Sequence, residues 1–404
     1  MKILHTSDWH LGHQLFEYDR SEEQQDFLRQ LREMVLFEQP DALLVSGDVF
    51  HYCSPSAVSQ RLYTDALVAL HETCPSMQII ITAGNHDSSS RLEISRNLWK
   101  YAGVIVVGSI RRTEEGELDL ERHLIEVKDS SGVLKGYVVA LPHVYPQNFP
   151  SLGDDVPRED RQRTFIQALL DRVKSRNKDN LPVVMMAHLA LSGSDISGHD
   201  DGCGGMEYTD IRLMGEGYDY LALGHIHFPQ TLAGTRARYC GSPLPVSFDE
   251  NYGHSVSLVE IASHGAESVI RMLPVNNPWP LKVLPSRAVE LEEALEVLST
   301  IPDDEKVYVQ LHVRIKDVPP AYCMERAYEL ARHKKCRFCR YKWEREELED
   351  VHEISELDVD RLQTFSPLQV ASIYYRDKFQ REIDSYMLDM LDKAVKRAQA
   401  KEEE

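Results

Sequence analysis

Residues 220–230, YLALGHIHFPQ, form an apolar run that ends in two histidines one residue apart. Side chains two apart on an extended backbone leave on the same face, so His225 and His227 are expected to point together into the space beyond a strand. Taken alone, the pair would equally suit two surface histidines. The same event, however, occurs four more times. KILHTSDWH (2–10), DALLVSGDVFH (41–51), QIIITAGNHD (78–87) and PVVMMAHLA (182–190) each pass from a short apolar segment directly into side chains able to bind metal. Between the first three lie helical patterns. In residues 23–39 Phe27, Leu28, Leu31, Met34 and Val35 form a stripe, and SAVSQRLYTDALVALHE (56–72) is introduced by Ser54 and Pro55 as expected cap and first-turn residues. Strands alternating with helices imply α/β layers, in which ligands collect beyond the carboxyl ends of the strands.

Composition bounds the reading. With 404 residues, 42% hydrophobic and 27% charged, the chain can form one large core and one or two smaller units. No stretch approaches the roughly 18 to 20 apolar residues of a membrane span, and MKILHTSDWH lacks a signal-peptide pattern, so a cytoplasmic protein is expected. Seven scattered cysteines suit reduced thiols, and CRFC (336–339) has no second ligand pair nearby, which favours incidental strand cysteines over a zinc site. A formal charge of −20 argues only weakly against nucleic acid, because metal-binding carboxylates add to the count and a partner can supply positive surface.

Asp8, His10, Asp48, Asn85, His188, His225 and His227 are seven donors from five strand ends. Seven suits two cations about 4 Å apart that share one carboxylate, and Asp48 is the natural bridge. Four imidazoles favour manganese, iron or zinc over magnesium.

The ordered set SDWH, SGDVFH, AGNHD, AHLA and LGHIH resembles the calcineurin-like metallophosphoesterases. More narrowly, HTSDWHLG, GNHDS, ALGHIHFPQ and YCGSPLPVSFDE are similar to bacterial members of the double-strand-break repair nuclease family. The resemblance implies an α/β fold, a β-sandwich flanked by helices, with a small α/β capping domain and C-terminal helices. It places one divalent ion on Asp8, His10, Asp48 and His227 and another on Asp48, Asn85, His188 and His225, manganese being favoured. It also implies a DNA nuclease for repair and recombination, a 3′-to-5′ exonuclease on double strands and an endonuclease at hairpins. Such a nuclease is expected to act as a homodimer within a heterotetramer completed by a coiled-coil ATPase. His86 falls at the family's catalytic histidine, where it would hydrogen-bond the phosphate or protonate the leaving oxygen. Asp87 either orients that imidazole or forms the turn. His51 stands where bacterial relatives often have Asp; the resemblance implies a role in placing the DNA end, and the plainer reading is a loop histidine near Asp48. A phosphomonoesterase or protein phosphatase on the same centre, or a docking subunit with a structural site, are the alternatives. GNHDS and GDVFH depart from the phosphoprotein phosphatase patterns G-N-H-E and G-D-x-x-D-R-G.

The expected organisation is a nuclease domain at 1–272, a DNA-capping α/β domain at 273–352 and a helical partner-docking segment at 353–404. RYCGSPLPVSFDE (238–250) is expected to close the core sheet near the site. SGSDISGHDDGCGGMEY (192–208) reads as a loop in which His199, Asp200 and Asp201 are solvated rather than metal-bound. After a linker, NNPWPLKVLP (276–285), the pattern is helix, strand, helix, strand. The last of these, KKCRFCRYKWER (334–345), interleaves cations with Phe338, Tyr341 and Trp343 and suits either phosphate tracking or packing on its own helices. In the last segment Phe379, Ile383, Met387, Met390, Leu391 and Ala394 form a stripe that by resemblance would dock on the ATPase. The helix bearing Leu62, Leu67 and Leu70 is a candidate dimer surface.

Overall fold

The computed structural model describes residues 1–153, 156–198, 207–316 and 319–345, and a few positions beyond. His199, Asp200 and Asp201, and Phe379, Leu391 and Ala394 of the C-terminal stripe, lie outside the described residues. Met1–Glu344 forms one compact unit and Arg345–Glu404 a second.

All five apolar runs are strands, at Lys2–Thr6, Ala42–Ser46, Gln78–Thr82, Val183–His188 and Tyr220–Gly224. They are divided between two six-stranded sheets. In the first, Lys2–Thr6, Ala42–Ser46, Gln78–Thr82 and Val104–Val107 run parallel, and Ser255–Glu260 and Val269–Pro274 extend it antiparallel. In the second, Tyr220–Gly224 and Val183–His188 are parallel neighbours at the centre.

Period-two alternation packs these sheets into a sandwich. Leu44, Ile80, Val184 and Ala222 point into the layer between the sheets. Leu43, Val45, Ile79 and Ile81 point outward, onto the stripe of the Ser21–Glu38 helix (Phe27, Leu31, Val35) and onto Leu67 and Leu70 of the Ala57–Thr73 helix. On the opposite side Phe165, Leu169 and Val173 of the Arg161–Arg176 helix cover Met185, Leu221 and Leu223. Because both faces of the central strands are buried, their sequences read as continuous apolar runs.

Some local expectations differ. The cap of the second helix is Ser56, whose hydroxyl accepts the Ser59 amide, two residues beyond the expected Ser54. Leu67 and Leu70 are buried in their own core, so they do not form a dimer surface. The small module begins one strand earlier than expected. Leu281–Val289, within and after the presumed linker, pairs parallel with Tyr308–Ile315 in a three-stranded sheet completed by Arg337–Arg345. Its half-exposed residues and the register shift between Leu284 and Val289 hide the strand pattern. In Arg337–Arg345, Phe338 and Tyr341 pack with Leu295, Leu298 and Ala327, while Arg340 and Lys342 are exposed. Cys336 and Cys339 enter different core clusters, as incidental strand cysteines would.

Candidate metal centre

Each strand end becomes a loop that aims its polar side chain back over the sandwich edge. In the first sheet this needs left-handed backbone at non-glycine residues, with φ of 53° at Asp8, 44° at His10 and 51° at Asp48. In the second, His225 has φ 96°. Such conformations cost free energy at side-chain-bearing residues, and backbone contacts hold them here. The Asp8 amide donates to the Gly47 carbonyl (3.0 Å), and the His10 amide to that of Asp48 (3.1 Å). The motif glycines permit contact: a Cβ on Gly84 would lie 2.0 Å from Asp48 Oδ1, and one on Gly224 2.0 Å from the Ser46 carbonyl oxygen.

The seven predicted donors converge. His10 Nε2 and His227 Nε2 are 3.2 Å apart, and Asp8 completes a trio whose donor atoms all lie within 4.8 Å. Asp8, Asp48 and His188 form a second such trio. Asp48 Oδ2 lies 3.3 Å from His188 Nε2 and 3.9 Å from His10 Nε2, between the two groups. Asn85 Oδ1 is 2.9 Å from His188 Nε2 and 3.0 Å from His225 Nδ1. Asp8, His10, Asp48, His188 and His227 are buried; Asn85 is exposed at the mouth.

Behind the donors, a second layer fixes their tautomers. His188 Nδ1 donates to the Ser46 carbonyl at 2.8 Å and leaves Nε2 facing Asp48 and Asn85. His227 Nδ1 lies 3.0 Å from Glu250 Oε1, whose carboxylate also accepts the Ser242 hydroxyl (3.0 Å) and the Val246 amide (3.2 Å). Glu250, at the end of SFDE, carries no role in the sequence reading; a buried acid eight residues after Ser242 is the signal that could have found it. Partners of this kind orient metal-binding imidazoles. His10 Nδ1 faces His51 Nδ1 at 3.3 Å.

Burial alone would raise Asp48, but the neighbouring imidazoles, His188 foremost, hold its carboxyl well below the usual range. Burial lowers His188, and Asp48 outweighs it and lifts the group to about 9. Glu250 does the same for His227, also to about 9. Asp8 is raised by burial against the opposing pull of His188 and His227. Two buried carboxylates thus face His188 and His227, both of which hold protons, while burial keeps His10 well below its ordinary value. Oxygen and nitrogen donors so arranged fit a pair of divalent cations, and such binding would release those protons.

His86 stands on the same turn as Asn85. Its amide donates to Asp48 Oδ1 (2.9 Å), its Nδ1 donates to the His51 carbonyl (2.9 Å), and its ring stacks on that of His51 at 5.4 Å. Nε2 is the ring nitrogen that this carbonyl does not engage. Asp87 does not orient this ring. Its carboxylate accepts the amides of Gly84 (2.9 Å), Val49 (3.1 Å) and Phe50 (2.9 Å), clamping the turn to the Asp48 loop, which is the turn-forming alternative. His51 is half-buried, and burial and the nearby His86 lower it to about 4.

Residues 1–229 match the family model described as calcineurin-like phosphoesterase, which covers every one of these strand ends. The SbcD component of the SbcCD nuclease from Rhodobacter capsulatus is 37% identical over 311 residues, spanning 74% of this chain and 76% of the relative. The proteins of the same name from Escherichia coli K12 (29% over 328 residues, 78% of each chain) and Bacillus subtilis 168 (31% over 324 residues, 78% of this chain and 80% of the relative) are also similar. The chain belongs to the SbcD family of the calcineurin-like phosphoesterases.

Proposed function

We propose that the chain is the nuclease subunit of an SbcCD-type assembly and hydrolyses DNA phosphodiester bonds at two divalent cations. One observation carries the reading: seven donors from five strand ends converge beside a histidine that is not needed as a ligand. Asp8, His10, Asp48 and His227 would hold one ion and Asp48, Asn85, His188 and His225 the other, with Asp48 Oδ2 lying between the two groups. Manganese is the proposed ion, since the donor set is mixed and imidazole-rich. Such cations, when bound, neutralise phosphate oxygens and lower the pKa of the attacking water.

The protein does the rest. The His51 carbonyl accepts from Nδ1 of His86, which leaves Nε2 to face the substrate, and in its imidazolium form the ring would give its Nε2 proton to the departing 3′ oxygen. The side chain of His51, between His10 and His86, borders the position of the DNA end. We read the substrates as duplex ends, cut 3′ to 5′, and hairpins, cut internally. The ATPase partner is SbcC, docked by the segment after Asp358; among the described residues no helix is long and apolar enough to cross a membrane. Self-association into a homodimer is supported by apolar side chains left in solvent beside the Ala57–Thr73 helix, Ile94 (84% exposed), Leu98 (71%) and Tyr101 (90%). Leu98→Asp is expected to convert a dimer to monomer in light scattering; an unchanged mass removes this surface.

The test is incubation of the purified chain with manganese and end-labelled duplex or hairpin DNA, beside His86→Ala and His227→Ala. Cutting by the parent that both substitutions abolish is expected. A parent that cuts no DNA even with SbcC and ATP, yet hydrolyses p-nitrophenyl phosphate, would make the protein a monoesterase.

A further inference from the structure

We infer that the cleft between Phe16, Phe248 and Arg340 is a subsite for one nucleobase of the strand being cut. The inference rests on the nuclease reading and names a substrate contact beyond the metal centre.

The cleft is built around a strained turn. Gln14–Leu15 and Tyr18–Asp19 form a short hairpin whose two turn residues, Phe16 and Glu17, have φ of 49° and 69°. A two-residue turn with both φ positive ordinarily takes Asn, Asp or Gly, and a phenylalanine there is held against its preference. The hairpin around it is fixed. Leu15 is buried with Phe248, Trp279, Tyr308 and Cys339, the Tyr18 hydroxyl donates to the Phe338 carbonyl (3.0 Å), and the Arg337 guanidinium lies over the Tyr18 ring at 5.4 Å. Core was thus available beside the turn, yet the Phe16 ring stays 39% exposed.

What surrounds that ring favours a flat ligand. The Arg340 guanidinium lies 5.2 Å from the Phe16 ring centroid, and the Phe248 ring is 6.1 Å away, tilted. Aromatic rings and planar guanidinium groups stack on heteroaromatic bases without regard to sequence. Charge distinguishes a base from a phosphate. Among the described residues Arg340 is the one full cation lining the cleft, Asp249 lines it too, and Glu17 is exposed on the turn. An anion would meet these carboxylates, whereas a neutral base presents donors and acceptors at its edge to Asp249 and Gln14.

The cleft also adjoins the centre. His13 lines it, the His13 ring is 4.5 Å from that of His51, and His51 stacks on His86. A base held there belongs to a nucleotide next to the bond being cut, and it must be unpaired to expose its face, as at a hairpin tip or a frayed end.

The experiment uses the full-length chain with manganese, hairpin DNA, the same DNA with an abasic nucleotide beside the cut, and bis(p-nitrophenyl) phosphate, a diester with no base. For the parent, the abasic lesion should lower kcat/KM roughly five- to hundredfold, the range found when a stacking aromatic is truncated. Phe16→Ala should lower the ratio of kcat/KM on intact DNA to kcat/KM on bis(p-nitrophenyl) phosphate by a similar factor, and Phe16→Tyr should restore it. In Phe16→Ala the abasic lesion should cost nothing further. A parent indifferent to the lesion, or a Phe16→Ala defect that persists in full on abasic DNA, overturns the subsite while leaving the nuclease reading intact. Hydrolysis of bis(p-nitrophenyl) phosphate without any DNA cutting overturns both.

Discussion

The two sheets of the sandwich contribute different things to one site. The first supplies both carboxylates, Asp8 and Asp48, together with His10 and Asn85, and places three of the four on left-handed backbone. The second supplies only imidazoles, His188, His225 and His227, and two of these have their far nitrogen tied to an oxygen behind the site. Charge comes from one side by way of strained loops, and aim comes from the other by way of hydrogen bonds. The division has a physical reason: a carboxylate accepts from either oxygen over a broad range of angles, whereas an imidazole is useful only in one tautomer and one orientation.

The sharpest way to break this symmetry of roles is at Asp48. Asp48→Ala is expected to lose both cations, fewer than one ion per chain by mass spectrometry of the dialysed protein, with cutting reduced more than about a thousandfold. His188→Ala on the opposite sheet should keep one. Equal metal loss in the two variants would mean that the carboxylate is not shared. Next in size, His86→Ala should retain both ions and slow cutting by about 10²- to 10⁴-fold, the span of a general acid. A loss of metal in that variant would instead make His86 part of the coordination.

Aim is tested at Glu250. Glu250→Gln keeps the shape but replaces the acceptor that holds the Nδ1 proton of His227, and outer partners of this kind are worth about 10- to 100-fold in metal affinity. Competition titration should show one ion weakened and the other unchanged; two unchanged affinities would leave Glu250 with a purely structural role. Stability rather than activity is the readout for one buried histidine from each half, both distant from the metal ligands in role. Burial lowers His5 to about 3 and His123 to about 4. The folded state resists protonation that the unfolded chain accepts near 6.5, so the stability they support is complete above pH 6.5 and declines as pH falls toward 4. Each histidine costs about 1.4 kcal/mol per pH unit in that window. The melting temperature of the His5→Gln, His123→Gln double variant should fall less steeply between pH 7 and 4 than that of the parent, and parallel curves would deny the effect.

The same division explains what the sequence disclosed. The five strands and seven donors were legible because each strand is buried on both faces and its donor follows within a few residues. Glu250 was not, and Asp87 and His51 stood between two readings each, because the contacts that decide are with residues remote in the chain: Glu250 with His227, His51 with His10, and Asp87 with Val49 and Phe50. Periodicity says nothing about which nitrogen of an imidazole is tied down. The small module was misread at its first strand, since Leu281–Val289 alternates poorly and carries a proline where its register shifts. In its last strand Phe338 and Tyr341 are core while Arg340 and Lys342 stay in solvent, a separation that composition alone does not reveal.

The bare backbone at Gly224 has a consequence for metal exchange. A single methyl group there would meet the Ser46 carbonyl at 2.0 Å, so the two sheets abut main chain to main chain where the ligand loops begin. Main-chain contact therefore holds the two groups of donors at one separation, whichever divalent ion they would take.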